Sequence, residues 1–307
     1  MNSTETLPLE VKTFYDKTLL ARLIPTLVFA KYGQKKSLKS RSGKTIEFRK
    51  FASLDAATTP LTEGITPAGK SLDVSAIQAT VNQYGDFVKI TDMLDLLGID
   101  PVLTESAELL GEQAGLTIDN IVRDIVCEGT NVHYAGGKAT RNELTASDVA
   151  TADDVARVAA TLKKANVKRL EGNHYIGIVD PSIAYDLMKD PLWQDISKYS
   201  GGQAIMAGEI GKLHGVRFIE TTETKVVKNA SGVEVHSAMI IGKDAYGVVD
   251  VEGSVKPENI VKPFGSAGTS DALDQVATSG WKALFTAVRL DEECMVRFEC
   301  ATTITND

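Results

Sequence analysis

The sequence predicts an α+β fold, and three observations carry that prediction. Two strand-like runs flank a Thr/Gly/Pro-rich tip, one long amphipathic helix follows them, and short helices and strands fill the rest before a final pair of strand-like runs. The 307 residues are 43% hydrophobic and 24% charged, a globular composition long enough for roughly two domains.

In chain order, residues 1–8 are polar and read as a loose terminus. Between Val11 and Tyr32, Phe14, Thr18, Ala21, Leu23, Leu27 and Ala30 recur at roughly helical spacing, and Pro25 should interrupt the helix or restart it. In KTIEFRKFA, Ile46 and Phe48 alternate with Thr45, Glu47 and Arg49, the signature of a strand. Pro60, Gly64, Pro67 and Gly69 then mark a loop tip. A second strand run starts at Leu72, Val74 and Ala76 and shifts phase to Ile77, Ala79 and Val81, which predicts a β-bulge or twist. It continues through DFVKIT, so the two runs form an extended hairpin, too marginal in water to stand without neighbours.

Asp100-Pro101 opens the long helix. Leu103, Ala107, Leu110, Ala114, Ile118, Ile121 and Ile125 make one stripe, Glu105, Glu108 and Glu112 suit the N-terminal dipole, and Gly129 ends it. From Val102 to Glu128 it would run about 40 Å. A single stripe predicts a helix lying along a surface. Thr151 and Asp154 form a capping box ahead of a second helix closed by Lys163, Lys164, Lys168 and Arg169. YIGIV (175–179) reads as a buried strand, and Asp180-Pro181 turns it into a helix. GEIGKLHG is a connector, VRFIE, AMIIG and YGVVDV are strands, and WKALFTAVRL and CMVRFECAT read as a closing strand pair around Asp291-Glu292.

Charge and cysteine content narrow the function classes. Residues 31–50 hold eight basic side chains against Glu47 alone, while the whole chain carries −8. That balance argues against nucleic-acid binding over the whole surface. It suits self-association, with the basic arm of one copy on the acidic body of another. Three cysteines (Cys127, Cys294, Cys300) have no framework spacing and fit a reducing, cytosolic compartment. No run approaches the roughly 20 apolar residues that span a bilayer, and no membrane partner is expected.

No motif supplies a catalytic, cofactor or metal site. Ser42–Thr45 ends like a phosphate-binding loop, but Leu38 stands where its first glycine belongs, and the run opens a strand instead of a helix. Gly137-Lys138 lacks the following hydroxyl. His133, His174, His214 and His236 show no metal-ligand spacing and read as ordinary loop or surface side chains. Cys127 near His133 sits at a helix C-terminus, where the dipole raises a thiol pKa. The run at 265–270 (GSAGTS) reads as a connector, and Asn229 heads a sequon relevant only to a secreted protein.

Several stretches taken together resemble a known family. They are VKTFYDKTLLARLIPTLVFAKYGQ near the start, SGKTIEFRKF, TPLTEGITP, YGDFVKITDM, YIGIVDPSIAYDLMKDPLW, GEIGKLHGVRFIET and GWKALFTAVRLDEECMVRFE. In this order the chain resembles the major capsid proteins of tailed bacteriophages, specifically the N4-type family. The resemblance implies an HK97-like fold. It implies an N-terminal arm at 1–42, an extended loop (E-loop) at 43–92, and a peripheral domain at 93–171 with a spine helix at 101–129. An axial domain at 172–270 and a return to the peripheral domain at 271–307 complete it.

The implied function is self-assembly into hexamers and pentamers of an icosahedral head around double-stranded DNA, in the host cytoplasm. The implied partners are a separate scaffolding protein, because the arm starts near Met1, then a portal and a decoration protein, with DNA held only by weak non-specific contact. Two alternatives accompany this reading: an encapsulin-type compartment shell and a cytosolic α/β enzyme with a dispersed site.

Overall fold

A computed structural model describes residues 27–39, 41, 43–52, 54–61, 63–64, 66, 69–97, 102–194, 210–251, 258–266 and 271–304. Most of the predicted arm helix, with Pro25, lies outside these residues, as do Pro67 and the connector at 267–270.

The chain enters through a single helical turn, α1 (Phe29–Tyr32), and a strand, β1 (Gln34–Leu38). Residues 34–38 of the basic segment are therefore strand, where the sequence places them in the arm. The hairpin strands β2 (Thr45–Phe51) and β3 (Val74–Thr80) pair residue for residue, from Thr45 opposite Thr80 to Phe51 opposite Val74. No bulge interrupts them. The phase shift in the sequence has another cause: Ile46, Phe48 and Ala79 are buried at the root, whereas Val74 and Phe51 are exposed towards the tip. The break falls at Val81, whose N–H donates to the Lys44 carbonyl at 2.8 Å. Beyond it β4 (Asn82–Thr91) changes partner and joins the body.

A short helix, α2 (Asp92–Leu97), leads to the long helix α3 (Val102–Cys127). Its last carbonyls are met by arginines: Arg289 donates to Ile125 O at 3.0 Å and Arg297 donates to Cys127 O. Those bonds supply what the end of an α-helix leaves unsatisfied. Next come β5 (Val132–Tyr134) and α4 (Ala152–Lys164), where the Thr151 hydroxyl accepts from Asp154 N as the capping box predicted. Then follow β6 (Tyr175–Val179), α5 (Pro181–Lys189) capped by Asp180, β7 (Gly211–Leu213), β8 (Val216–Glu220), β9 (Lys225–Lys228) and β10 (Glu234–Ile241). The last strands are β11 (Tyr246–Val251), β12 (Glu258–Lys262), β13 (Val276–Arg289) and β14 (Met295–Cys300).

These strands make two larger sheets. In the five-stranded sheet β13 is the spine, pairing with β4 along Val276–Phe285, with β12 over Thr278–Lys282 and with β11 over Phe285–Arg289, while β1 adds in parallel to β11. The seven-stranded sheet runs β5-β14-β10-β6-β8-β7, and β9 also pairs with β10. The closing runs are therefore strands, but not partners. β13 and β14 belong to different sheets, and the turn at Glu292–Cys294 carries the chain from one to the other. A tight turn between two apolar runs reads as a hairpin from sequence; here each run finds a larger surface elsewhere.

The packing corrects the reading of α3 as a surface helix. Its first half sets Leu110 and Ala114 on Trp281 and Ala283 of the five-stranded sheet. Its second half sets Val122 and Val126 on Ile176, Ile178, Met239 and Ile241 of the seven-stranded sheet. The stripe drifts because 3.6 residues per turn rotates the contact line over seven turns, so Val122 and Val126 are buried while Ile121 and Ile125 are only partly so. The opposite face of the seven-stranded sheet carries α4 and α5, with Tyr175, Val179, Leu162 and Ile183 in that core. Strand β6 is covered on both faces, which is why it reads as an unbroken apolar run.

Candidate assembly surfaces

The hairpin has two unlike halves. At the root, Ile46, Phe48, Ala79 and Val81 pack with Val249 and Leu38 on the face of the five-stranded sheet away from α3. Phe48 sits over Gly247, where any Cβ would lie 2.5 Å from its ring. Lys50 Nζ binds Asp291 Oδ2 at 2.5 Å and fixes the hairpin to the sheet-to-sheet turn. Beyond Phe51 that support ends. Phe51 is 61% exposed and Leu61 78%, and Leu54, Leu72 and Val74 are exposed as well. Gly64 adopts φ 79 within the tip, a left-handed conformation that favours glycine. Burying those side chains would release roughly 1.5–3 kcal/mol each, and exposed apolar side chains grouped in this way mark a candidate interaction surface.

A second surface lies on the same face of the sheet, farther along β13. Phe87, Ile260, Gly85 and Gly280 line an open trough of about 820 Å³, with Lys89, Lys262 and Lys282 around it. The two glycines keep its floor low: a Cβ on Gly280 would stand 2.7 Å from Phe87 Cβ, and one on Gly85 would stand 2.5 Å from Trp281 O. Two carboxylates also line it, but both are engaged. Asp86 accepts from the Gln113 amide at 2.7 Å, and Asp271 accepts from Val276 N at 2.8 Å. The exposed tip carries Asp55, Glu63 and Asp73 against Lys70, so tip and trough match in apolar character and oppose in charge. The sequence showed the tip through its turn residues. The trough could not be read there, because it needs β4, β12 and β13 side by side.

The motif-like segments resolve into structure. Lys44 precedes β2 directly, and Gly43 takes φ 93. Cys127 is buried, and burial pushes its thiol up to about 11. Cys300 is buried as expected for a small hydrophobe, and burial raises its thiol well above the ordinary range. The Asn229 amide donates to Leu144 O at 2.8 Å and ties down a loop.

The histidines are less ordinary than their sequence context implied. His236 is buried in β10 with Nδ1 3.3 Å from Asp180 Oδ2, and His133 lies in β5 with Nε2 3.5 Å from Asp154 Oδ1. Burial alone would raise both carboxyls, but these contacts and the N-cap hydrogen bonds hold them below the usual range. Each pair joins a strand to the start of a helix. Among the described residues no cluster of metal-ligating side chains occurs, and no helix is long and apolar enough to cross a membrane.

Comparison with known proteins agrees with a surface-dominated molecule. A family described as phage capsid protein matches residues 74–298. A search of curated proteins finds no match. Among solved structures, the capsid of Ralstonia phage GP4 superposes with a TM-score of 0.74 at 13% identity, covering 90% of this chain and 88% of that one. The cyanophage Pam1 capsid gives 0.67 at 13% identity, covering 92% and 93%. A virus-like particle from Pyrococcus furiosus is less similar, at 0.55 and 9% identity, covering 94% and 100%. These likenesses show the fold to be the HK97-like α+β fold. The family match spans well over half of the chain, and it favours neither the compartment shell nor the enzyme. The chain therefore belongs to the phage capsid protein family, as a major capsid protein that forms the phage head and a structural protein, not an enzyme.

Proposed function

We propose that this capsid protein builds the head from hexamers and pentamers by laying its hairpin over a neighbouring copy. In this reading residues 1–42 are the arm and 43–92 the extended loop. Residues 93–171 form the peripheral domain with its spine helix at 101–129, residues 172–270 the axial domain, and 271–307 the return. The observation that carries it is the distal hairpin, with Phe51, Leu61 and Leu72 exposed beyond a firmly seated root. Its acidic, apolar tip suits the basic, apolar trough of the next copy. Such a head-to-tail contact is heterologous and generates rings when its rotation closes. Many weak repeated contacts then add up to a stable shell.

The narrower N4-type membership rests on the sequence segments alone. A separate scaffolding protein, a portal, a decoration protein, assembly in the host cytoplasm and weakly held double-stranded DNA belong to the same proposal. The overall acidity of the chain supports weak DNA contact, because phosphate binding draws on basic side chains.

Electron microscopy with sedimentation velocity on the full chain tests the reading. Shells, capsomers or sheets of them are expected from the intact protein. Replacing residues 53–72 by a short turn should leave a folded subunit that no longer assembles. An intact chain that stays monomeric with its scaffold present, or normal shells from the shortened hairpin, would overturn it.

A further inference from the structure

Asp119 stands in the middle of α3 with no exposed surface. Its Oδ1 accepts from the backbone N–H of Val28 at 3.0 Å and of Ala30 at 2.9 Å. It therefore holds the start of α1, the turn through which the N-terminal side of the chain meets the body. The same turn is gripped from the other side by Tyr246, whose hydroxyl donates to Phe29 O at 2.5 Å. Phe29, Ala30 and Tyr32 are buried in the core beneath. Oδ2 of Asp119 is buried with no hydrogen-bond partner. A carboxylate needs that second oxygen solvated or bonded; a neutral carboxyl tolerates the site far better.

We propose that Asp119 is a proton-operated clasp, holding the Val28–Tyr32 turn on α3 more firmly when protonated than when ionised. The charged and titratable groups that act on it are Arg123, one turn along α3, and Tyr246 on β11, which Tyr32 of the turn faces in its turn. Arg123 gives its guanidinium to Asn120, Asp124 and the Glu223 carbonyl. The carboxyl is the group of this set that burial brings towards neutral pH. Burial pushes it up to about 6, against the N–H bonds that pull it down.

The sign follows from linkage. A folded-state value above that of the opened chain means that the docked turn binds more protons, so docking weakens as pH rises between the two values and is constant above the higher one. Two pH units separate about 4 from about 6, which sets a change in the opening equilibrium of about 100-fold. Asp154 and Asp180 are held below the usual carboxylate range, the opposite direction to Asp119, so they do not mask the effect.

Hydrogen exchange at the Val28–Tyr32 amides of the full-length unassembled subunit tests this, corrected for intrinsic exchange, from pH 4.5 to 8. In the native protein, opening should increase severalfold to tenfold or more up to about pH 6 and then level off. Asp119→Asn, neutral at every pH, should show flat, low opening. A flat profile in the native protein, or an unchanged profile in Asp119→Asn, would overturn the clasp. Should that variant fail to fold, the carbon-13 titration of the Asp119 carboxyl in the native protein decides: a midpoint near 6 supports the clasp and one near 4 refutes it. Shell formation is not needed for either readout, so failure here is distinct from failure of the assembly reading.

Discussion

Glu299 shows how much one side chain can organise. It is fully buried in β14, with Arg141 bound to both of its oxygens at 2.5 and 2.7 Å and Arg297 Nε at 2.7 Å. Arg297 also reaches the end of α3 through Cys127 O. One carboxylate thus joins the loop before α4, the last strand and the long helix. Removing one partner of such a buried set leaves charge uncompensated, which typically costs about 3–5 kcal/mol. Glu299→Ala should lower the unfolding free energy measured in urea by that order, whereas Glu143→Ala, in an exposed turn, should change it by less than about 1 kcal/mol. Equal effects from the two would show that the buried set carries no special weight.

At the scale of elements, α3 is the member that both sheets share. Leu110, 3% exposed, packs on Trp281; Leu109, its neighbour, is 59% exposed. Leu110→Ala should destabilise the subunit by about 2–5 kcal/mol through lost burial and the cavity left behind. Leu109→Ala should cost less than about 0.5 kcal/mol in the free subunit. Denaturant unfolding of both variants checks the contrast. The hairpin obeys the same logic in reverse. Its root belongs to the sheet core through Phe48, and the described residues of its tip belong to no core of this copy.

For the whole molecule, the pairing of tip and trough makes a charge-reversal prediction. Lys262→Glu with Lys282→Glu should oppose the acidic tip and raise the concentration needed for shells by about tenfold or more, since like charges across an interface cost several kcal/mol. Adding Asp55→Lys and Glu63→Lys to the same chain should restore assembly. If the fourfold variant assembles no better than the double one, the trough does not seat the tip. Light scattering against protein concentration provides the readout.

The sequence by itself determined the elements whose signals are local. The period of α3, the Thr151 and Asp180 caps, the alternation around Ile46 and Phe48 and the unbroken apolar run of β6 each depend on neighbours a few residues away, and the structure places each within a residue or two of its predicted bounds. The order of segments also sufficed to point to the capsid family. Only the tertiary structure decided which strands share a sheet. β13 and β14 separate because each gains more by pairing with β4, β11, β12 or β10 than with the other across the short link at 290–294. It alone paired His236 with Asp180, buried Asp119 against Val28 and Ala30, and assembled the trough from strands some 200 residues apart. Burial and long-range contact belong to chain topology, and no periodicity within one segment encodes them.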